Sequence, residues 1–375
     1  MSSPPTRSVL DAVRSLLPAI ADAAADVDRH GAVHSDVIDA LHDAGYFALL
    51  QSQAVGGLDA DLEVYLAATR ELSTACTSTG WLAGWLGVNS WGLSMRDPRV
   101  LGEIWGTDRR ALLCSSYAPT GRLHRRDGGF WLSGRWSRCT GARHSSWLSA
   151  AALRVGADGA AQDFMAVLVP RADYVVEPTW NGLGLRGIGA DDVVVAGAFV
   201  PDHRVFSWLH LDPEVSATAL DRLPQPTVFT LAGTMPLLGA AQRAVQSVGG
   251  GEGRPALSSI AMAATDIELS LLQIQRDVAD LVRCVEDGAQ PDTALVLRTR
   301  RDQVMACERA VGAVRAVVQD GGQDEDRDEG HDEALMERLW RDMQTARKHV
   351  SSNVEQVLSV AGRSALGLTV DDLIW

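Results

Sequence analysis

The 375-residue sequence has no CxxC pair: Cys76, Cys114, Cys139, Cys284 and Cys307 are odd in number and widely scattered. That excludes a disulfide framework and a cysteine-built zinc site, and it fits a reducing, cytoplasmic setting. Clustered Lys and Arg are missing too, and the formal net charge is −14. Neither nucleic acid nor an anionic membrane is an expected partner, since both need basic surface to neutralise phosphates. No basic segment leads into a long apolar core near Met1, so the N-terminus does not read as a signal peptide. The longest apolar-looking stretch, Thr79 to Met95, holds Asn89, two serines and four glycines and is too short to span a bilayer. It reads as a buried helix. Phenylalanine and tyrosine are few, six and four, against eleven tryptophans. No metal-ligand spacing is present, and no metal is expected.

What is there divides into three blocks. From Val9 to Val27 apolar residues recur every three or four positions, which predicts an amphipathic helix. Helices are also expected over His34 to Ala44, Asp61 to Thr74 and Thr79 to Met95. Near Ala111 the pattern changes to β-branched and aromatic runs between glycine turns. Strands are predicted over 111–117, 122–126, 130–133, 147–155, 164–170, 174–178 and 192–200, with Asp127-Gly128-Gly129 as a hairpin turn. Long helices return at Val228 to Val248, Pro255 to Cys284, Asp292 to Val318 and Ala334 to Leu366, long enough to require packing as a bundle. Between the last two, Asp320 to Glu333 carries eight carboxylates and one arginine. The expected fold is α+β: residues 1–110 a helical N-terminal domain, 111–211 a central β-barrel or sandwich, and 212–375 a four-helix bundle in which 319–333 is a flexible acidic loop.

Several motifs make this succession specific. One is the glycine-punctuated run Gly182-Leu-Gly-Leu-Arg-Gly-Ile-Gly189, which leads into an apolar strand ending at Val200-Pro201. Others are Leu41-His-Asp-Ala-Gly-Tyr-Phe47, Ser78-Thr-Gly-Trp81 with Asn89-Ser-Trp91, and Ser133-Gly-Arg-Trp136 leading to Thr140-Gly141. The last are Arg338-Leu-Trp-Arg-Asp342 with His349 and Gly362-Arg-Ser-Ala-Leu-Gly367. In this order and spacing the chain resembles the flavin-dependent monooxygenase branch of the acyl-CoA dehydrogenase superfamily. The resemblance implies an acyl-CoA dehydrogenase-like fold and a two-component enzyme. Such an enzyme takes reduced flavin (FMNH2 or FADH2) from a separate NAD(P)H-flavin reductase. With O2, through a flavin C4a-hydroperoxide, it hydroxylates an aromatic, indolic or amine-bearing small molecule in a biosynthetic setting. A homotetramer, or a dimer, is implied as well.

By the same resemblance Trp81 lies near flavin and substrate, Ser115 near the cavity, Thr140 donates toward flavin N5, and Trp136 flanks the isoalloxazine ring. His349 faces the substrate, where a near-neutral imidazole suits removal of a phenol, indole or amine proton. Trp85 shares a helix face with Trp81, so an aromatic-lined pocket for a planar substrate is expected, although core packing accounts equally for both. Arg254, after Gly249-Gly-Gly-Glu-Gly253, is a candidate phosphate partner. Asn89 falls where the branch often has a histidine near the flavin, and an amide cannot deliver a proton as imidazolium does. Ile188 and Ala190 stand where hydroxyl residues are common. Arg341 and Asp342 read as structural pairs. Two alternatives remain open. An acyl-CoA dehydrogenase-like oxidoreductase needs a carboxylate base, for which Glu268 and Glu355 are the helical candidates, and a non-redox member would have lost flavin.

Overall fold

The computed structural model describes residues 6–156, 158–207, 218–248, 256–320, 333–349 and 353–370. Arg254, the glycine run before it and nearly all of the acidic segment lie outside the described residues. Five helices come first: α1 (Thr6–His30), α2 (Ser35–Asp43), α3 (Leu62–Ala75), α4 (Thr77–Ser94) and α5 (Pro98–Ile104). Helix α4 is buried along its whole length, as its lack of a polar face dictates. Short α5, begun by the Asp97 cap and Pro98, was not foreseen from the apolar pattern.

Seven strands follow: β1 (Leu113–Arg126), β2 (Gly129–Cys139), β3 (Trp147–Val155), β4 (Ala161–Pro170), β5 (Val175–Glu177), β6 (Asp191–Pro201) and β7 (Val205–Phe206). They form one mixed sheet in the order β5-β6-β2-β1-β3-β4-β7, antiparallel except for β1 beside β3. The two strands expected over 111–117 and 122–126 are one strand, β1, whose pairing with β3 shifts register between Ser116 and Gly121. A bulge bends a strand without ending it, so the Pro119-Thr-Gly121 interruption reads as a break only in sequence. Strands β4 and β6 are not neighbours in the sheet, yet Val167 and Val169 share one core with Val193, Val195 and Val200. The sheet is therefore curled around its own apolar face, in the manner of a barrel.

The remaining helices are α6 (Gln225–Gln246), α7 (Leu257–Glu286), α8 (Thr293–Asp320), α9 (Glu333–Ala346) and α10 (Val354–Ala365). Helix α6 packs on α3 and α8, and α7 on α8, so the first helices and the bundle share one core. Ion pairs fasten α7 to α8, with Arg276 reaching Asp302 at 2.6 Å and Arg298 reaching Asp277 at 2.9 Å. The single helix expected over 334–366 is two. Helix α9 ends at Ala346, and α10 starts afresh where the Asn353 side chain accepts from the Gln356 N–H. A side-chain cap competes with continued helix and wins at Asn353.

The glycine-punctuated run joins all three blocks. Leu185 adopts a left-handed backbone conformation at φ 50°, and its N–H donates to Asp342 Oδ1 at 2.5 Å. The Gly184 N–H donates to Thr345 Oγ1 at 2.8 Å, so α9 holds the run by two side chains three residues apart on one helical face. The Gly187 carbonyl accepts from Val33 N–H, and the Ile188 carbonyl from Gly141 N–H, both at 3.0 Å. Arg341 adds a bond to the Leu183 carbonyl while pairing with Asp28 of α1 at 2.7 Å. Ile188 and Ala190 are buried in the helical core, which is why apolar residues stand there.

Burial raises the Asp342 carboxyl to about 6, against the opposing Leu185 N–H, and the nearby Asp28 raises it further. A carboxyl with a raised folded pKa is held protonated by the native state, so stability falls as pH climbs from about 4 through about 6. The expected loss from this group is about 3 kcal/mol. Asp342→Asn removes that slope. Urea unfolding of both proteins between pH 4 and 7.5 checks it: the stability difference, wild type minus variant, should become more negative with pH.

Candidate active site

Helix α4 supplies one wall of the site. Trp81, Trp85 and Asn89 succeed one another at four-residue spacing and so share a face. Opposite the first two stands His349, in the turn after α9, its ring 5.5 Å from that of Trp81 and 4.9 Å from that of Trp85. Phe229 of α6 continues the aromatic lining, 6.4 Å from Trp85 and 6.1 Å from Tyr117 of β1. The indole N–H groups of Trp81 and Trp85 are buried without an acceptor in the protein. Buried donors are normally satisfied, so these two are the atoms an added group would engage.

His349 departs from the near-neutral expectation. Burial among the indoles, then the positive charge of Arg138, lower its pKa to about 4. At neutral pH the ring is uncharged, able to accept a proton or a hydrogen bond but not to act as a standing imidazolium. Arg138 itself sits at φ 62°, beside the register shift between Trp136 and Cys139. A bulge re-aims side chains, and here it directs an exposed arginine's field at the histidine.

Asn89 ties helix to sheet. Its Nδ2 donates to the Leu113 carbonyl at 3.0 Å, and its Oδ1 accepts from Ser115 Oγ at 3.1 Å and from the Tyr117 hydroxyl at 3.5 Å. The amide therefore orients the Ser115 and Tyr117 hydroxyls, a role the sequence did not suggest, because nothing local to Tyr117 marks it. Thr140 follows β2 and is half-buried. Its neighbour Gly141, at φ 76°, lies so close to Leu82 and Leu86 of α4 that a Cβ there would come within 2.8 Å of both. Thr140 is thus held against the flank of α4, on the strand end that also carries Arg138.

Trp136 belongs to the β core. It is fully buried inside the curled sheet, its Nε1 donating to the Ala151 carbonyl at 2.7 Å. Its ring fills the space left by Gly121 and Gly134, where a Cβ would approach within 2.4 and 2.8 Å. Strand alternation points position 136 inward, so it packs the β core. Trp81, Trp85 and His349 are in ring contact, and farther along the same α4 face Asn89 is hydrogen-bonded to Ser115. Among the described residues, no group of three or more His, Cys, Asp or Glu is placed to hold a metal ion.

Two family models match the chain: "Acyl-CoA dehydrogenase, N-terminal domain" over residues 3–93 and "Acyl-CoA dehydrogenase, C-terminal domain" over residues 251–354. The oxygenase subunit HsaA of a flavin-dependent monooxygenase from Mycobacterium tuberculosis (strain ATCC 25618 / H37Rv) is 32% identical over 98% of this chain and 97% of its own. The chain belongs to the flavin-dependent monooxygenase branch of the acyl-CoA dehydrogenase superfamily. A crystal structure of the M. tuberculosis HsaA monooxygenase superposes with a TM-score of 0.91 at 30% identity, covering 99% of this chain and 100% of that one. The oxygenase component of an FADH2-dependent resorcinol hydroxylase from Rhizobium sp. (strain MTP-10005) is 30% identical over 88% of this chain and 87% of its own. XiaF from a Streptomyces species, solved with FADH2 and glycerol, superposes at a TM-score of 0.89 with 26% identity over 98% of this chain and 97% of that one. As a member of this monooxygenase branch the chain is an oxidoreductase.

Proposed function

We propose that this protein is the oxygenase component of a two-component monooxygenase, using reduced flavin and O2 to hydroxylate an aromatic, indolic or amine-bearing small molecule. The observation that carries the reading is a neutral histidine set against a wall of two indoles, with hydroxyls farther along the same wall. The residues present fit a flavin and a planar substrate: two orphaned indole donors, the half-buried hydroxyls of Ser115 and Thr140, and an apolar lining. When bound, reduced flavin supplies the electrons and the place where O2 is activated.

The protein's own part is positional. The indoles and Phe229 keep water from the reacting ring, and Ser115, held by Asn89, orients a substrate hydroxyl or amine. Thr140 is the residue we assign to flavin N5. His349 Nδ1 or Nε2 accepts the proton that the substrate's O–H or N–H loses as the new C–O or N–O bond forms. The dehydrogenase reading finds no support, since Glu268 and Glu355 are both exposed.

The test is isotopic. Protein, chemically reduced FMN or FAD and a panel of phenols and indoles are mixed with 18O2, and the products are examined by mass spectrometry. One labelled oxygen per product is expected; product lacking label, or consumption of an acyl-CoA thioester instead, sinks the reading. A reductase serves as a separate partner in this scheme and replaces the chemical reductant.

We also assign a homotetramer or dimer. Helix α7 is long and apolar enough by composition to cross a membrane, but its charged second half pairs with α8, and Met262, Leu269 and Leu272 stand exposed on its first half. An exposed apolar helix face of this kind is what a second copy covers. Leu269→Asp with Leu272→Asp is expected to shift the molar mass measured by light scattering toward the monomer.

A further inference from the structure

Trp136 and Cys139 are both buried in the β core, yet two residues separate them where strand alternation allows one. Against β6 the same stretch slips by one residue, Trp136 pairing with Val193 and Cys139 with Asp191. The extra residue leaves Ser137 and Arg138 both exposed, with Arg138 in the left-handed region at φ 62°. A non-glycine residue is strained there, and such strain gathers at functional sites. Two bonds from β1 pin the backbone: Ser116 Oγ donates to the Ser137 carbonyl at 3.3 Å, and Thr120 Oγ1 to the Arg135 carbonyl at 2.6 Å. Arg138 therefore leaves β2 from a fixed point. It stands two residues before Thr140 and three before Gly141, which rests on Leu82 and Leu86, the neighbours of Trp81 and Trp85 in α4.

The carboxylates of β5 and β6 beside this strand end are taken. Asp191 holds Arg143 at 2.6 Å, and Asp192 holds Arg135 at 2.6 Å, which also reaches Glu177. Helix α4 carries no charged residue. Next to His349, Arg347 pairs with Glu308 at 3.3 Å, Lys348 is exposed, and Asp342 is turned to the Leu185 N–H. Arg138 makes no hydrogen bond or ion pair among the described residues, yet its charge reaches the His349 ring and opposes a proton there. A potential that disfavours a cation at one point favours an anion at the same point. Water screens an exposed charge; an aromatic ring seated against the indoles displaces that water and strengthens the field.

We infer that Arg138 is the counter-charge for an ionised oxygen of the aromatic substrate held beside His349, so that the site prefers a phenolate to the neutral phenol and to its methyl ether. The inference rests on the indole wall being the substrate site. The phenol O–H bond breaks with its electron pair left on oxygen, and the proton passes to the neutral His349 ring or to water. Arg138 acts on the substrate through its charge, as a specificity residue distinct from the acceptor His349. A flavin phosphate is the competing anion, and the test separates the two.

The test is binding to the full chain, followed by quenching of tryptophan fluorescence and by the visible absorbance of the probe. 4-Nitrophenol is titrated below the pH at which it ionises in free solution, with 4-nitroanisole as the isostere that has no proton to lose. Wild type is expected to raise the ionised-to-neutral ratio of bound nitrophenol by about fivefold over the free probe, and to bind nitrophenol more tightly than nitroanisole. In Arg138→Gln both differences should vanish while nitroanisole binding is unchanged, and Arg138→Lys should recover part of them. Should the glutamine variant fail to fold by circular dichroism, Arg138→Asn carries the same comparison, since asparagine tolerates the left-handed backbone. Bound nitrophenol no more ionised than the free probe, or equally ionised in wild type and the folded variant, overturns the inference and leaves the site standing. So does a variant that loses affinity for FMN but not for riboflavin while nitrophenol is unaffected, because the charge then serves a phosphate. If wild type binds neither aromatic probe, the reading of the site fails and this inference with it.

Discussion

Gly184→Ala is expected to destabilise the protein by about 3–5 kcal/mol, from overpacking plus the loss of two buried hydrogen bonds. A Cβ at Gly184 would fall 2.1 Å from the Arg341 carbonyl carbon and 2.3 Å from the Asp342 nitrogen. These are backbone atoms of a helix and cannot step aside. The run must instead lift from α9, breaking the bonds from Gly184 N–H to Thr345 and from Leu185 N–H to Asp342. The comparison is Gly187→Ala, whose Cβ would meet the Val27 Cγ1 at 2.2 Å. That is the end of a side chain, and a rotamer change relieves part of the clash, so a smaller loss is expected. Urea midpoints of the two variants decide the point; equal midpoints would mean that the contact with α9 is not what holds the run. Because α9 leads directly into the turn bearing His349, Gly184→Ala should also lower oxygenation per flavin oxidised.

His349→Ala is expected to reduce product formation by on the order of 10²- to 10³-fold, the usual contribution of a positioned proton acceptor. Oxidation of reduced flavin should persist, so the signature is uncoupling: flavin and O2 are consumed without hydroxylated product. The pH profile carries a second readout. With its pKa lowered to about 4 by burial and by Arg138, His349 is in its neutral, accepting form across the physiological range. Product formation limited by this group should hold level from pH 8 to about pH 5.5 and decline as pH falls through about 4. A decline centred instead near 6.5, the ordinary histidine value, would show that the imidazole is not desolvated as the geometry requires. Arg138→Gln removes the positive charge facing the ring and should move the decline to higher pH.

Much of this was legible in the chain. Periodic apolar spacing marked α1 and a β-branched run marked β6, because burying one face of a regular element demands a regular pattern, while α4 was marked by being apolar almost all round. Element ends and continuity were less legible. The split between α9 and α10 turned on an asparagine cap, and the continuity of β1 through Pro119 and Gly121 on a bulge, both settled by neighbours in space. Trp81 and His349 were singled out by motif resemblance and Trp85 by its four-residue spacing from Trp81, and the structure brings the three within ring contact. The burial of Trp136 was not legible, since a tryptophan in a strand does not announce which face it occupies until register and glycine partners are known. Tyr117 and Arg138 were missed altogether: each is an ordinary residue in sequence, made notable by what surrounds it.

The amino-acid order alone determined the succession of helical, β and helical blocks and the branch of the superfamily, because these depend on local periodicity and on motif spacing along the chain. Only the tertiary structure decided what the glycine-punctuated run is for, since its partners at Val33, Gly141 and Asp342 are distant in sequence and meet through packing. The same holds for the state of the site's ionisable groups. Burial and neighbouring charge, which set the His349 and Asp342 pKa values, exist only once the chain has closed around them.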